Sequence, residues 1–159
     1  MALTAEKQAA TEGRDAAWRR RRRVIIDGVS LYGAVTLGGV IGSLLRWLVA
    51  LLLPIVSGGL PWATFTANAS GCFVIGFYAA LTGPDGRLFV GPRMRQFVMT
   101  GICGGYTTFS GFSLETFGFL SGGDLHSAAL YLILSLMSWL VAVWLGHIAA
   151  SRLNNWGRI

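Results

Sequence analysis

Charged side chains are scarce in this chain. Asp, Glu, Lys and Arg make up 13% of its 159 residues, about half the ~25% of an ordinary soluble domain. That excludes a solvated, charge-covered surface over most of its length. Cysteine and histidine are scarcer still. Cys72 and Cys103 both stand in apolar segments without metal-ligand spacing, which favours packing over a disulfide or a thiolate site. His126 and His147 are isolated, so no zinc constellation is written here. There is no internal repeat. What is abundant is apolar surface, with 53% hydrophobic residues and a mean hydropathy of +0.58. The net charge of +6 does not indicate nucleic acid, because arginines flanking apolar runs are topology signals.

Four segments come near or pass the ~20 apolar residues that cross a bilayer. They run over about Val29 to Leu53, stopped by Pro54; Trp62 to Thr82, stopped by Gly83-Pro84; Gln96 to Leu120, after Gly91-Pro92; and Leu125 to Leu153. Short connectors make neighbouring spans antiparallel. The expected architecture is an all-α membrane protein of four transmembrane helices. Residues 24–159 form that bundle, and residues 1–23 form a basic, disordered arm that meets anionic headgroups. A signal peptide is not expected, because the apolar run after the arm is too long.

Lys and Arg are distributed on one side only. Lys7, Arg14 and Arg19 to Arg23 precede the first span. Arg87, Arg93 and Arg95 lie in the second connector, and Arg152 and Arg158 in the tail. The other two connectors carry none. The excess of positive charge on the inner side predicts that both termini are cytoplasmic, in the plasma membrane.

Several residues are too polar for lipid. Arg46 lies inside the first span near its outer end; it either snorkels to the interface or faces a watery vestibule and concentrates anions there. Gly38, Gly39 and Gly42 in the same span suit close helix packing. In the second span, Thr64, Asn68 and Gly71 share one face. The third span contains Gly101-Ile-Cys-Gly-Gly-Tyr-Thr-Thr-Phe-Ser-Gly-Phe-Ser-Leu-Glu115. Gly101, Gly104 and Gly105 weaken helix there, and Thr107-Thr108 add β-branching. The segment predicts a broken helix whose freed carbonyls line a cavity or coordinate an ion. Beyond the break, Phe109 and Phe112 share one face, with Ser110 and Ser113 beside them. In the fourth span, Ser135 and Ser138 can complete a polar track.

Three motifs in order resemble one family: Gly38-Gly39-Val-Ile-Gly-Ser-Leu-Leu-Arg46, Thr66-Ala-Asn68-Ala-Ser-Gly71, and Gly101-x-x-Gly-Gly-Tyr-Thr-Thr-Phe-Ser-x-Phe-Ser-x-Glu115. They are similar to those of the Fluc/CrcB fluoride channels, over about residues 30–150. The resemblance implies a passive, fluoride-selective channel that relieves cytoplasmic fluoride toxicity. It implies an antiparallel dimer of four-helix subunits with a broken third helix. It further implies a structural sodium ion (Na+) at the dimer centre, on the backbone carbonyls of Gly104 and Thr107. Asn68 then corresponds to the pore asparagine, Phe109 and Phe112 to the pore phenylalanines, and Ser110 and Ser113 to the pore-side hydroxyls. Arg46 matches the vestibule arginine, and Ser138 is the choice over Ser135 for the fourth span.

The residue types suit a small, strongly hydrated anion. Asn68 offers an NH₂ and the serines offer hydroxyls, while phenyl ring edges are electropositive and face an anion without gripping it. One feature departs from the family. An opposed homodimer is expected to carry little Lys/Arg bias, whereas the bias here predicts a fixed orientation. The opposed subunit is then either a homologous chain of opposite bias or, if the arm is merely additive, this chain itself.

The alternatives are a small multidrug-type proton-coupled transporter, which would place a carboxylate in the first span, and a structural membrane subunit. An intramembrane protease is not expected, because Ser113 and His147 fall at opposite ends of their spans and a base must sit within about 3 Å of its nucleophile.

Overall fold

The computed structural model describes residues 2–53 and 59–156, with side chains from Trp18 onward except Arg19 and Arg23. Its elements are α1 (Ala2–Leu52), α2 (Trp62–Leu81), α3 (Pro92–Gln96), a π-helical stretch (Phe97–Cys103), α4 (Gly104–Tyr106), α5 (Phe109–Ser121) and α6 (Leu125–Asn155). Among the described residues there is no strand. The chain divides at Gly33/Ala34 into two compact units. The first holds the start of α1, helical from Ala2 through the segment whose composition predicts disorder. Ala2, Ala5, Ala9, Ala10, Ala16 and Ala17 are strong helix formers. The second unit holds everything that follows.

Among the described residues, three helices are long and apolar enough to cross a membrane: Arg20–Leu52, Trp62–Leu81 and Leu125–Asn155. The remaining expected span, the third in chain order, is the one cut into pieces, so no single helix in it reaches that length. Pro54, the expected stop of the first span, lies outside the described residues. The second span ends as its sequence dictates. The Thr82 N–H and hydroxyl both return to the Tyr78 carbonyl, at 3.0 and 2.7 Å, and Gly83-Pro84 follows. Between α5 and α6 the chain turns at Gly123, with φ of +79°, a conformation glycine adopts without a Cβ clash. Asp124 then caps α6 by accepting from the Ser127 N–H at 3.0 Å.

Packing runs on glycine seams. A Cβ on Gly38 would lie 2.5 Å from the Phe97 carbonyl and 2.9 Å from Gly101 Cα. Carbons added to Gly42 and Gly105 would strike the Ile102 and Gly39 carbonyls. The backbones of α1 and the third span therefore touch directly, which only small residues permit. A second seam joins α2 to α6. Gly76 faces the Val143 carbonyl and Gly146 faces the Phe73 carbonyl, so the two helices run antiparallel.

One end of this pair is tied by Asn154. Its Nδ2 donates to the Ala80 carbonyl at 3.0 Å and its Oδ1 accepts from the Arg87 N–H at 3.1 Å. The Arg87 guanidinium donates in turn to the Leu153 carbonyl, a cation on the carbonyl end of a helix. The arginine-bearing connector after α2 and the last turn of α6 therefore lie together.

Candidate functional site

The third span breaks at Thr107 and Thr108, which take extended backbone with ψ of 156° and 115°. The glycines before them do not break it. Gly101 closes the π-helical stretch's contact with Gly38, while Gly104 and Gly105 stay helical. The expected break over Gly101 to Thr107 is thus narrower and later, and the glycines serve close approach. The two β-branched threonines are the residues that favour extended backbone.

Asn68 holds the break open. Its Oδ1 accepts from the Thr108 N–H at 2.7 Å and its Nδ2 donates to the Thr108 carbonyl at 2.9 Å. Thr108 then caps α5, its Oγ1 accepting from the Gly111 N–H at 3.0 Å. Gly71, one turn further along α2, leaves room for the Thr107 methyl. The second-span face predicted from spacing is therefore the face that meets the break.

A cavity of about 260 Å³ opens at this junction. Asn68, Gly71, Gly104, Thr107, Thr108, Phe109 and Trp139 are among its lining residues. The structure thus gathers Asn68, Phe109, Gly104 and Thr107 on one cavity. Phe112 lies behind Phe109, with ring centroids 5.7 Å apart. The two phenylalanines differ in setting, since Phe112 is 5% exposed and Phe109 70%. Ser110 pairs with the Thr108 hydroxyl at 3.2 Å. Ser113 donates to the Phe109 carbonyl, and Ser138 to the Ser135 carbonyl.

Arg46 donates from Nε to the Gly105 carbonyl at 3.4 Å, beside a bond of the same length from the Ser43 hydroxyl. A carbonyl freed by the break thus takes a cation and a hydroxyl from α1. The Gly104 and Thr107 carbonyls lose their helical donors in the same way, because the Thr108 N–H goes to Asn68 and the Gly111 N–H to the Thr108 hydroxyl. Backbone oxygens without helical donors are hard ligands suited to an alkali cation. The residues present fit sodium by that chemistry. No cluster of His, Cys, Asp and Glu able to hold a metal is found among the described residues.

The site contains one further network. Glu115 accepts from the Thr64 hydroxyl through Oε1 and from the Tyr131 hydroxyl through Oε2, both at 2.6 Å. These distances suit charge-assisted bonds to a carboxylate. Tyr131 is 1% exposed, and its ring lies 5.3 Å from that of Phe112. The carboxylate thus links three helices. Sequence reasoning placed Thr64 on the right face and Glu115 in the motif, but missed Tyr131. A lone tyrosine inside an apolar run gives no signal of its own; a buried carboxylate's need for donors was the available clue.

Apolar helices around one interrupted span, with Asn68, Thr107, Thr108 and Phe109 on a shared cavity, define a membrane protein. The chain belongs to the CrcB family: residues 33–147 match the family model described as CrcB-like protein, Camphor Resistance (CrcB). It is 59% identical over 129 residues to the fluoride-specific ion channel FluC 1 of Rhodopseudomonas palustris (strain BisB18), covering 80% of this chain and 92% of that one. It is 57% identical over 124 residues to FluC 1 of Bradyrhizobium diazoefficiens, covering 78% and 87%. With the fluoride-specific ion channel FluC of Opitutus terrae, identity is 49% over 128 residues, covering 80% and 97%.

Proposed function

We propose that this chain is one subunit of a fluoride-selective channel through which cytoplasmic fluoride leaves the cell by passive conduction. One observation carries the reading. At the break, α5 begins beside the Asn68 amide with Phe109 at the same cavity. The N-terminus of a half-helix carries positive partial charge, and it stands here with the Asn68 amide and the Phe109 ring. An anion meets donors at this point, and no lysine or arginine lines the cavity to hold it too tightly for exit. Asn68, Phe109, Phe112, Ser110, Ser113 and Ser138 line the path in this proposal, and Arg46 serves the vestibule.

The third span, although divided, completes four transmembrane helices in the plasma membrane. Both termini are cytoplasmic, in keeping with the shared position of Arg87 and the end of α6. A second subunit lies antiparallel against the exposed apolar face of α5, where Phe109, Leu114 and Phe117 are 63–71% exposed. A sodium ion on the Gly104 and Thr107 carbonyls, when bound, fixes the break at the subunit contact. Passive conduction requires no catalytic group, so the protein is not an enzyme.

The test is fluoride efflux from liposomes containing this chain alone, read with a fluoride electrode. Sodium-dependent fluoride release without chloride release is expected. Release that does not distinguish the two ions overturns the reading. Release only after addition of a homologous chain of opposite Lys/Arg bias assigns the opposed place to that chain. No release under either condition, from protein shown to be folded, overturns it as well.

A further inference from the structure

Ser135 Oγ and Trp139 Nε1 are the two buried side-chain polar atoms without a hydrogen-bond partner among the described residues. They belong to side chains one turn apart on α6, so they fall on one face. Ser135 is fully buried. A serine in an apolar helix normally satisfies itself on a carbonyl one turn back, as Ser113 and Thr116 do on α5. Ser135 does not. An indole N–H has no such option, because it donates and cannot accept. A donor taken from water without a partner loses its solvation uncompensated.

Trp139 lies on the wall of the cavity at the break, with Asn68, Thr108 and Phe109. Its ring is set edge-on to Phe112, with centroids 5.0 Å apart and planes at 71°, and to Phe109 at 6.5 Å and 63°. Most other donors nearby are engaged, and Asn68 keeps one N–H. Asn68 spends its carbonyl oxygen and one N–H on Thr108, and the Ser113 and Ser138 hydroxyls go to backbone carbonyls.

We propose that Trp139 is an anion-contacting residue of the conduction path. Its indole N–H donates to a desolvated fluoride ion beside the Phe109–Phe112 pair. This rests on the fluoride-channel reading and adds a residue to it. Fluoride is the halide with the strongest acceptor character. A ring packed edge-on against two phenyl rings has little room to move back for a larger ion, so the same residue contributes to selectivity.

The experiment uses the full chain in lipid nanodiscs, with ¹⁵N-labelled tryptophan. The chain has six tryptophans, and the Trp139 indole resonance is identified by its loss in Trp139→Phe, or in Trp139→His if the first variant does not fold. Titration with sodium fluoride at constant ionic strength is expected to move that resonance, and sodium chloride to leave it in place. An unmoved resonance, or one moved equally by chloride, overturns the proposal. In liposomes, Trp139→Phe keeps the ring and loses the donor, and fluoride efflux is expected to fall at least tenfold. Unchanged efflux from the folded variant overturns the proposal whatever the resonance does. If the unsubstituted chain passes no fluoride while its resonance still moves with fluoride alone, the channel reading fails and the anion site stands.

Discussion

Asn68 grips both backbone groups of Thr108, donating to its carbonyl at 2.9 Å and accepting from its N–H at 2.7 Å. A side-chain amide thus satisfies the residue that the break deprives of helical partners. The interruption of the third span is a fixed corner rather than a frayed end, and Asn68 is its hinge pin. Backbone groups left unsatisfied in an apolar setting cost several kcal/mol in the limit of hydrocarbon, so the corner depends on this one side chain.

Asn68→Asp keeps the acceptor for the Thr108 N–H and loses the donor to its carbonyl, while placing negative charge beside the path. Fluoride efflux is expected to fall at least about tenfold, the equivalent of ~1.4 kcal/mol, with the elution volume on size-exclusion chromatography unchanged. Efflux at the level of the unsubstituted chain would move the pore away from Asn68.

The Glu115 network predicts non-additivity. Thr64→Val and Tyr131→Phe each remove one donor from a carboxylate held by both. Each is expected to lower stability by about 1–3 kcal/mol, the range for a hydrogen bond to a charged group or a buried partner left unpaired. The double variant should differ from the sum of the singles by 0.5 kcal/mol or more, on the order seen for residues in one network. Thermal unfolding in detergent measures this, and strict additivity would separate the two bonds.

The glycine seam gives a contrast within three residues. Gly42→Ala drives a methyl into the Ile102 carbonyl, whereas Gly39→Ala meets nothing within 4 Å. Backbone cannot retract as a flexible side chain does, so overpacking at Gly42 is expected to cost about 1–3 kcal/mol or more. Gly39→Ala should express and migrate as the unsubstituted chain. The yield of monodisperse protein distinguishes them.

Asp124 makes a pH prediction outside the spans. The hydrogen bond from the Ser127 backbone N–H holds its carboxyl below the ordinary value of 3.8, with the Ser127 side chain and His126 acting in the same direction. A lowered folded value means that the cap stabilises α6 fully above pH 3.8 and loses this as pH falls through the lower, folded value. The thermal midpoints of the unsubstituted chain and of Asp124→Ala should therefore differ at neutral pH and converge in acid. A gap that persists unchanged into acid would assign the effect to helix propensity.

Much of this was legible in the sequence, for physical reasons that differ by element. α2 and α6 follow their apolar runs closely because hydropathy and Pro/Gly stops are local signals. The third span was expected to break, and it does, but Thr107 and Thr108 make the corner and the glycines make the seam with α1. Glycine both loosens a helix and admits a neighbour, and only the neighbour decides which use prevails. Arg46 left two readings open, since its partner is a carbonyl exposed by a break 59 residues away. Tyr131 and Trp139 stayed hidden because an aromatic ring in an apolar helix usually marks packing, and what distinguishes them is where one polar atom falls.

The Asn154 side chain bonds to the backbone N–H of Arg87, 67 residues earlier in the chain. During synthesis, the loop after the first hairpin emerges long before the residue that fastens it. Until the last turn of α6 is in place, that arginine-bearing loop keeps only its local ties to the end of α2, such as Arg95 to the Thr82 hydroxyl and the Leu88 N–H to the Leu81 carbonyl. The chain's last helical turn thus closes a loop made near its midpoint.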